Sequence, residues 1–191
     1  MMYSLPCVIF AGGKSSRMGR DKALLPFKNH SSLAEFQYER MKRYFKEVYI
    51  SCKSEEKFPF KASFLQDNSD IYSPLVAIDS IFGKLNRDFF ALSVDTPFFG
   101  IEEFERLLDV YKKCENADAV VAKTDNIHPL CSIYKRSIVP KVKEALKKEK
   151  HKLRAVLDNS NTVYVDFEDN SRFLNLNYPK DYDFARRISD G

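Results

Sequence analysis

The amino-acid sequence predicts a three-layer α/β/α fold whose sheet is mostly parallel and carries an antiparallel element. Short apolar, β-rich runs alternate with helical periodicity through the first half, as in successive βαβ units. In the second half the strand-like runs lie close together, which gives the antiparallel element. A glycine-rich stretch follows the first apolar run directly, where an open α/β sheet hands its chain to a ligand-binding turn. The 191 residues suffice to bury one real core, and no repeat, low-complexity tract or linker divides them, so residues 1–191 read as a single domain.

The first strand is expected over residues 5–11. A helix then begins at Ser32, with Glu35 three residues on completing a capping box and Leu33, Phe36, Met41 and Tyr44 facing inward. Strands follow at residues 47–51 and 61–66. Ser73-Pro74 reads as an N-cap with proline at the first helical position, and Leu75, Ile78, Phe82 and Leu85 form that helix's buried stripe. Residues 88–94 make a fully buried central strand that stops at Asp95-Thr96-Pro97. The next helix turns Ile101, Phe104, Leu108 and Tyr111 inward; Glu102 and Glu103 in its first turn and Lys112 and Lys113 in its last complement the dipole. Further strands are expected at 118–123 and 130–134, then a basic helix with Ile138, Val142 and Leu146 on one side. Short strands at 162–167 and 173–176 precede a terminal helix starting near Pro179.

With 44% hydrophobic and 30% charged residues, the composition excludes a disordered chain. The longest apolar runs, such as residues 89–92, are strand-sized and too short to span a bilayer, so no membrane association is expected. The N-terminus shows no basic stretch followed by a long apolar segment, and a cytoplasmic protein is expected. A net charge of +4 suits small polyphosphate anions and does not call for nucleic acid. Basic residues crowd between Lys135 and Arg154, either as the solvated face of a helix or as a rim that attracts phosphates of a substrate or partner. Cys7, Cys52, Cys114 and Cys131 lie far apart without a C-x-x-C pair, which predicts reduced thiols and no zinc site.

Chemistry concentrates in the segment from Phe10 to Lys22, FAGGKSSRMGRDK. Gly12 and Gly13 let backbone N–H groups approach phosphate oxygens, and Arg17 and Lys22 add positive charge on the same loop. The spacing fits neither G-x-x-x-x-G-K-[ST] nor G-x-G-x-x-G. The plainer reading is a basic turn with incidental glycines. Asp95 ends a buried strand, so its carboxylate emerges at the ligand-binding edge as a hard oxygen ligand for Mg²⁺; alternatively it caps the next helix. Asn177 offers an amide to a ligand or caps the terminal helix. His128 is read as structural and left out of the catalytic set.

The loop resembles the signature of nucleotidyltransferases that activate sugar phosphates and cofactors. Its Arg17-Met18-Gly19-Arg20-Asp21-Lys22, followed by an apolar turn over residues 23–27, is similar to the molybdenum cofactor guanylyltransferase branch. Ser73-Pro74-Leu75 resembles that family's Gly-Pro-Leu, and Asp95-Thr96-Pro97-Phe98 its metal-binding Asp-x-Pro-Phe. His128-Pro129-Leu130 resembles a His-Pro-Leu segment, and Asn175-Leu176-Asn177-Tyr178-Pro179 the late Asn-x-Asn-Thr-Pro. The matches run in family order along nearly the whole chain. The resemblance implies a Rossmann-like nucleotide-diphospho-sugar transferase fold, with GTP and molybdopterin as substrates and Mg²⁺ as cofactor. GMP would join the terminal phosphate of molybdopterin and pyrophosphate would leave. It implies nucleotide binding by Phe10, Ala11, Gly12, Gly13, Lys22, Ser51, Asp67 and Asp95, the metal being held by Asp95. Arg17, Lys22 and Asp95 would offset repulsion between two anions, and no general base is needed. Asn175 and Asn177 fall on the acceptor side, and the product would pass to handover proteins. Asp67-Asn68-Ser69-Asp70 is also rich in turn formers, so Asp67 equally suits a loop-shaping role.

Three positions depart from the family pattern: Ser51 stands where an asparagine is common, Ser73 replaces glycine and Tyr178 replaces threonine. A cytidylyltransferase using CTP on the same cofactor, a sugar-1-phosphate nucleotidyltransferase and a non-catalytic binder of nucleotide or cofactor are the alternatives.

Overall fold

A computed structural model of the protein describes every residue except 1, 14, 16, 17, 68 and 191. The first half runs β1 (Cys7–Phe10), α1 (Leu33–Lys42), β2 (Val48–Cys52), β3 (Phe64–Gln66), α2 (Pro74–Leu85) and β4 (Phe89–Ser93). The second half runs α3 (Ile101–Lys113), β5 (Ala119–Lys123), β6 (Ile127–Tyr134), α4 (Val139–Lys147), α5 (Leu153–Asp158), β7 (Thr162–Asp166) and α6 (Pro179–Asp190). The seven strands form one sheet in the order β3-β2-β1-β4-β6-β5-β7. Only β6 runs against its neighbours, antiparallel to both β4 and β5; every other pairing is parallel.

Strand alternation builds two cores, one on each face of the sheet. Cys7 and Ile9 of β1 and Phe90 and Leu92 of β4 face one side, where Leu33 and Met41 of α1, Phe104 of α3 and Ala185 of α6 cover them. Val8 and Phe10, with Phe89 and Ala91, face the other, where Leu75 and Ile78 of α2, Val142 of α4 and Val156 of α5 pack. This is the expected α/β/α arrangement. Phe45, Phe90 and Phe104 cluster in the first core with ring centroids 4.7–5.8 Å apart, Phe45 stacked on Phe90 and Phe104 turned edge-on to Phe45. Among the described residues no cysteine is bonded to another, and burial pushes the Cys131 thiol up to about 12, so it stays a packed, unreactive side chain at neutral pH. No helix among the described residues is long and apolar enough to cross a membrane.

Local sequence explains most element ends. The Ser32 side chain caps α1 by accepting from Glu35 N at 3.1 Å. The expected reciprocal bond is shifted by one residue, because Glu35 Oε2 takes Ser31 N and Ser31 Oγ instead. Ser73 caps α2 and Pro74 opens it, as expected; Asn86, left-handed at φ 53°, ends it. Tyr44 is not part of an inward stripe: α1 stops at Lys42, Tyr44 leaves the helical register and is exposed, and Phe45 takes the buried place. Residues 173–176 do not form a strand. The Asp169 side chain accepts from Ser171 N and starts a 3₁₀ turn over Asn170–Phe173, after which Leu176 N makes one main-chain bond to Asp95 O at 2.9 Å. The short α5 starts within the end of the basic run, at Leu153, and had no separate signal. Of that run, Lys141 pairs with Asp118 and Lys148 with Glu144, and none of its residues lines the cleft described next.

Candidate active site

Strands β1 and β4 stop at one level, since Phe10 lies in register with Ser93, and β2 and β3 end one step further at Cys52 and Gln66. The four segments that leave this edge enclose a cleft of about 420 Å³, within the range of small-molecule sites. Phe10, Ala11, Gly12, Gly13, Lys22, Ser51, Asp67 and Asp95 all line it. Eight positions spread over 86 residues of sequence thus meet because parallel strands deliver their carboxyl ends to the same place. Arg17 lies outside the described residues.

The loop after β1 is held at its ends. Ala11 N donates to Ser51 O at 2.9 Å, and Lys57 Nζ donates to Ala11 O at 3.1 Å while pairing with Asp21 Oδ2 at 2.6 Å. Asp21 Oδ1 accepts from Ala23 N and opens a 3₁₀ turn over Lys22–Leu24, which sets Lys22 at the cleft wall. Lys22 N in turn donates to Ser15 Oγ. The N–H groups of Gly12 and Gly13 take no partner among the described residues. A Cβ on Gly13 would meet nothing within 4 Å, so the fold itself does not require glycine there.

Opposite the loop stands the pair that dominates the cleft. Lys22 Nζ lies 2.5 Å from Asp95 Oδ2 and donates to Asn177 Oδ1 at 3.1 Å. Asp95 Oδ1 accepts from Ser93 Oγ at 2.6 Å. Asp95 therefore does not cap α3, which begins six residues later behind Gly100. Asn177 does not cap α6 either: its side chain goes to Lys22, and Asp181 Oδ2 accepts from Tyr178 N and Asn177 N. Asn175 is half-buried next to this group, joined to it through Asn177 N donating to Asn175 O, and does not line the cleft.

The remaining wall is made by the segment after β3. Asp67 is buried, with Oδ2 on Lys53 Nζ at 2.7 Å and Oδ1 accepting from Ser69 N at 2.9 Å. Asp67 thus shapes its own loop through Ser69 N and also lines the cleft. Lys53 Nζ also donates to Ser69 O and Ile71 O and sits over the Tyr72 ring. Sequence reasoning missed Lys53, which lines the cleft, and Lys57, which ties the β1 loop from outside it. Leu130 reaches the cleft through an irregularity in the β5–β6 ladder, where pairing jumps from Val121 with Ser132 to Ala122 with His128. His128 holds this bend: its Nε2 is 2.9 Å from Thr124 Oγ1, its ring stacks on Phe173, and burial lowers its pKa.

Asp95 Oδ2 and Asn177 Oδ1 converge on one point, at present shared through the Lys22 ammonium. Two hard oxygens there fit a divalent cation that also brings phosphate and water oxygens. Among the described residues no three His, Cys, Asp or Glu side chains gather to hold a metal ion, so a cation on these two oxygens would need the rest of its shell from substrate and water.

Residues 7–163 match the MobA-like NTP transferase domain. The chain is 40% identical over 186 residues to the molybdenum cofactor guanylyltransferase of Campylobacter jejuni subsp. jejuni serotype O:6 (strain 81116), covering 95% of each chain. It is 35% identical over 193 residues to the molybdenum cofactor guanylyltransferase of Helicobacter pylori (strain G27), covering 97% of this chain and 93% of that one. Among solved structures, molybdopterin-guanine dinucleotide biosynthesis protein A from Archaeoglobus fulgidus shares the fold, with a TM-score of 0.84 at 21% identity over 97% of this chain and 99% of that one.

Proposed function

The chain belongs to the MobA-like NTP transferase family and is a nucleotidyltransferase, and we propose that it transfers GMP from GTP to the terminal phosphate of molybdopterin. The observation that carries this reading is the Lys22–Asp95 pair, 2.5 Å apart in the wall of a cleft whose glycine N–H groups take no partner among the described residues. The names of the relatives supply the acceptor and the base.

In the proposed reaction an oxygen of the acceptor phosphate forms a bond to the α-phosphorus of GTP, and the bond from that phosphorus to the bridging oxygen breaks. Pyrophosphate leaves with the bond's electrons. The acceptor is already an anion at neutral pH, so the obstacle is repulsion between anions and not a missing base. Gly12 and Gly13 N–H groups donate to phosphate oxygens, and Lys22 Nζ leaves Asp95 for the phosphate chain. Asp95, with Asn177 beside it, would hold Mg²⁺, which neutralises phosphate charge as the leaving group forms. Asp67 still has a lone pair on each oxygen for guanine N1–H and the exocyclic amine, since Lys53 and Ser69 use one apiece. Asn175 and Asn177 lie on the acceptor side. The reading puts the reaction in the cytoplasm, with the product passed on to an accepting protein.

Thermal melting with Mg²⁺ and each of GTP, CTP, UTP and ATP tests the nucleotide assignment. A ligand of the folded state at a hundredfold excess over its Kd stabilises by roughly 2.7 kcal/mol. GTP alone is expected to raise the melting temperature; a shift with CTP alone would make the enzyme a cytidylyltransferase, and no shift with any of them would remove the reading.

A further inference from the structure

Gln37 and Arg40 sit one turn apart on the face of α1 that Leu33, Phe36 and Met41 otherwise fill with apolar atoms. Gln37 is fully buried, and its Nε2 lies 3.3 Å from Ser93 O, 3.4 Å from Val94 O and 3.1 Å from Thr96 O. Arg40 Nη1 donates to Pro97 O at 2.8 Å, and Nη2 donates to Gln37 Oε1 at 2.5 Å. The second bond fixes which end of the amide carries oxygen, so the Gln37 hydrogens are aimed at the carbonyls. Leu176 N supplies Asp95 O. Every carbonyl from Ser93 to Pro97 thus has a donor, while the Asp95 side chain at the centre of the turn lines the cleft.

These two polar residues are costly where they are. Arg40 is half-buried, with its guanidinium turned into the protein, where such a group ordinarily meets a carboxylate and where an apolar side chain of similar volume would often serve as well or better. Among the described residues no carboxylate pairs with Arg40, and its Nε is buried without an acceptor. Burial lowers its pKa to about 10, so it remains charged at neutral pH. What the pair provides is a grip on one turn, and that turn carries the proposed cation ligand.

We propose that Gln37 and Arg40 are positioning residues for cation binding: they hold the Ser93–Pro97 backbone so that the Asp95 carboxylate meets the cation that arrives with the nucleotide. This rests on the functional reading above, in which Asp95 ligates Mg²⁺. A carboxylate on an unheld turn would still fold but would meet the cation in a spread of positions, and the loss would fall on the metal and not on the nucleotide.

The test is calorimetric binding of α,β-methylene-GTP to the full chain, once with Mn²⁺ and once with EDTA, so that the ratio of the two affinities reads the metal's share. The wild type is expected to bind the Mn²⁺ form more tightly. Gln37→Met keeps the side chain's length, removes the amide, and is expected to cut that ratio by about tenfold, the usual cost of losing a group that orients a metal ligand. Its metal-free affinity should be unchanged. Arg40→Met should act likewise and Arg40→Lys should retain more of the ratio, which keeps the test open if Gln37→Met does not fold. Equal loss of both affinities, or a reduced binding stoichiometry at an unchanged ratio, would make the role structural and overturn the inference. Asp95→Asn separates the two levels. If it keeps the wild-type ratio, the assignment of Asp95 to the cation falls; if it loses the ratio while Gln37→Met and Arg40→Met keep it, only the positioning inference falls.

Discussion

The loop after β1 and the turn after β4 leave neighbouring strands at one edge of the sheet, yet their backbones are used in opposite ways. Every carbonyl of the Ser93–Pro97 turn has a donor from the protein: Thr96 Oγ1 for Ser93 O, the buried Gln37 amide for Val94 O and Thr96 O, Leu176 N for Asp95 O and Arg40 for Pro97 O. The β1 loop is tied at Ala11 and Asp21 through Lys57, contains left-handed Ser15 and Gly19, and leaves the Gly12 and Gly13 N–H groups unpartnered among the described residues. The difference teaches a division of labour. On the proposed reading, the carboxylate that would meet a small cation sits on a backbone bonded throughout within the protein, whereas the loop that would cradle a triphosphate keeps its donors for the ligand.

Removing the fixed charges should cost most. Asp95→Asn or Lys22→Ala is expected to lower turnover by on the order of 10² or more, read as pyrophosphate release under saturating substrates. Wild-type turnover in either variant would end the contrast, because the rigid turn would then carry nothing the reaction needs. The cradle comes next. Gly13→Ala is expected to raise the KM for nucleotide by about tenfold, the worth of a hydrogen bond to a charged group that the added carbon holds off, with the melting temperature unchanged because a Cβ there meets no protein atom within 4 Å. A fall in melting temperature at constant KM would make this glycine structural. The smallest effect belongs to the loop's anchor. The Lys57–Asp21 pair is about a quarter exposed, and Lys57→Met should raise KM by roughly twofold to fivefold, as for a partly exposed ion pair, at unchanged kcat. A kcat effect larger than the KM effect would show that the loop also has to be rigid.

How much of this was legible in the sequence follows from where each residue's partner lies. The β1 loop and Asp95 stood out because both end uninterrupted apolar runs, and a strand's end is where polar chemistry meets the sheet edge. Ser73-Pro74 was legible for the same reason: a cap acts on residues two and three places away. Lys53, Lys57, Gln37 and Arg40 bond main-chain or carboxylate groups 14 to 59 residues distant, and nothing in their local sequence marks that. Gln37 and Arg40 did leave one trace, since they are polar residues at core-facing positions of an otherwise apolar stripe. The 173–176 segment was misread because its apolar residues pack onto the Asp95 turn and the His128 bend without joining a ladder. The choice of Asn177 between ligand and cap depended on Asp181 taking over the helix start, which only the fold decides.

The central claim is nucleotidyl transfer from GTP, and pyrophosphate release in the presence of Mg²⁺ and molybdopterin tests it most directly. The full chain should release pyrophosphate from GTP in proportion to the molybdopterin supplied, with no release from CTP, UTP or ATP and none without acceptor. Release from CTP in place of GTP, or tight GTP binding with no release at all, would contradict the account.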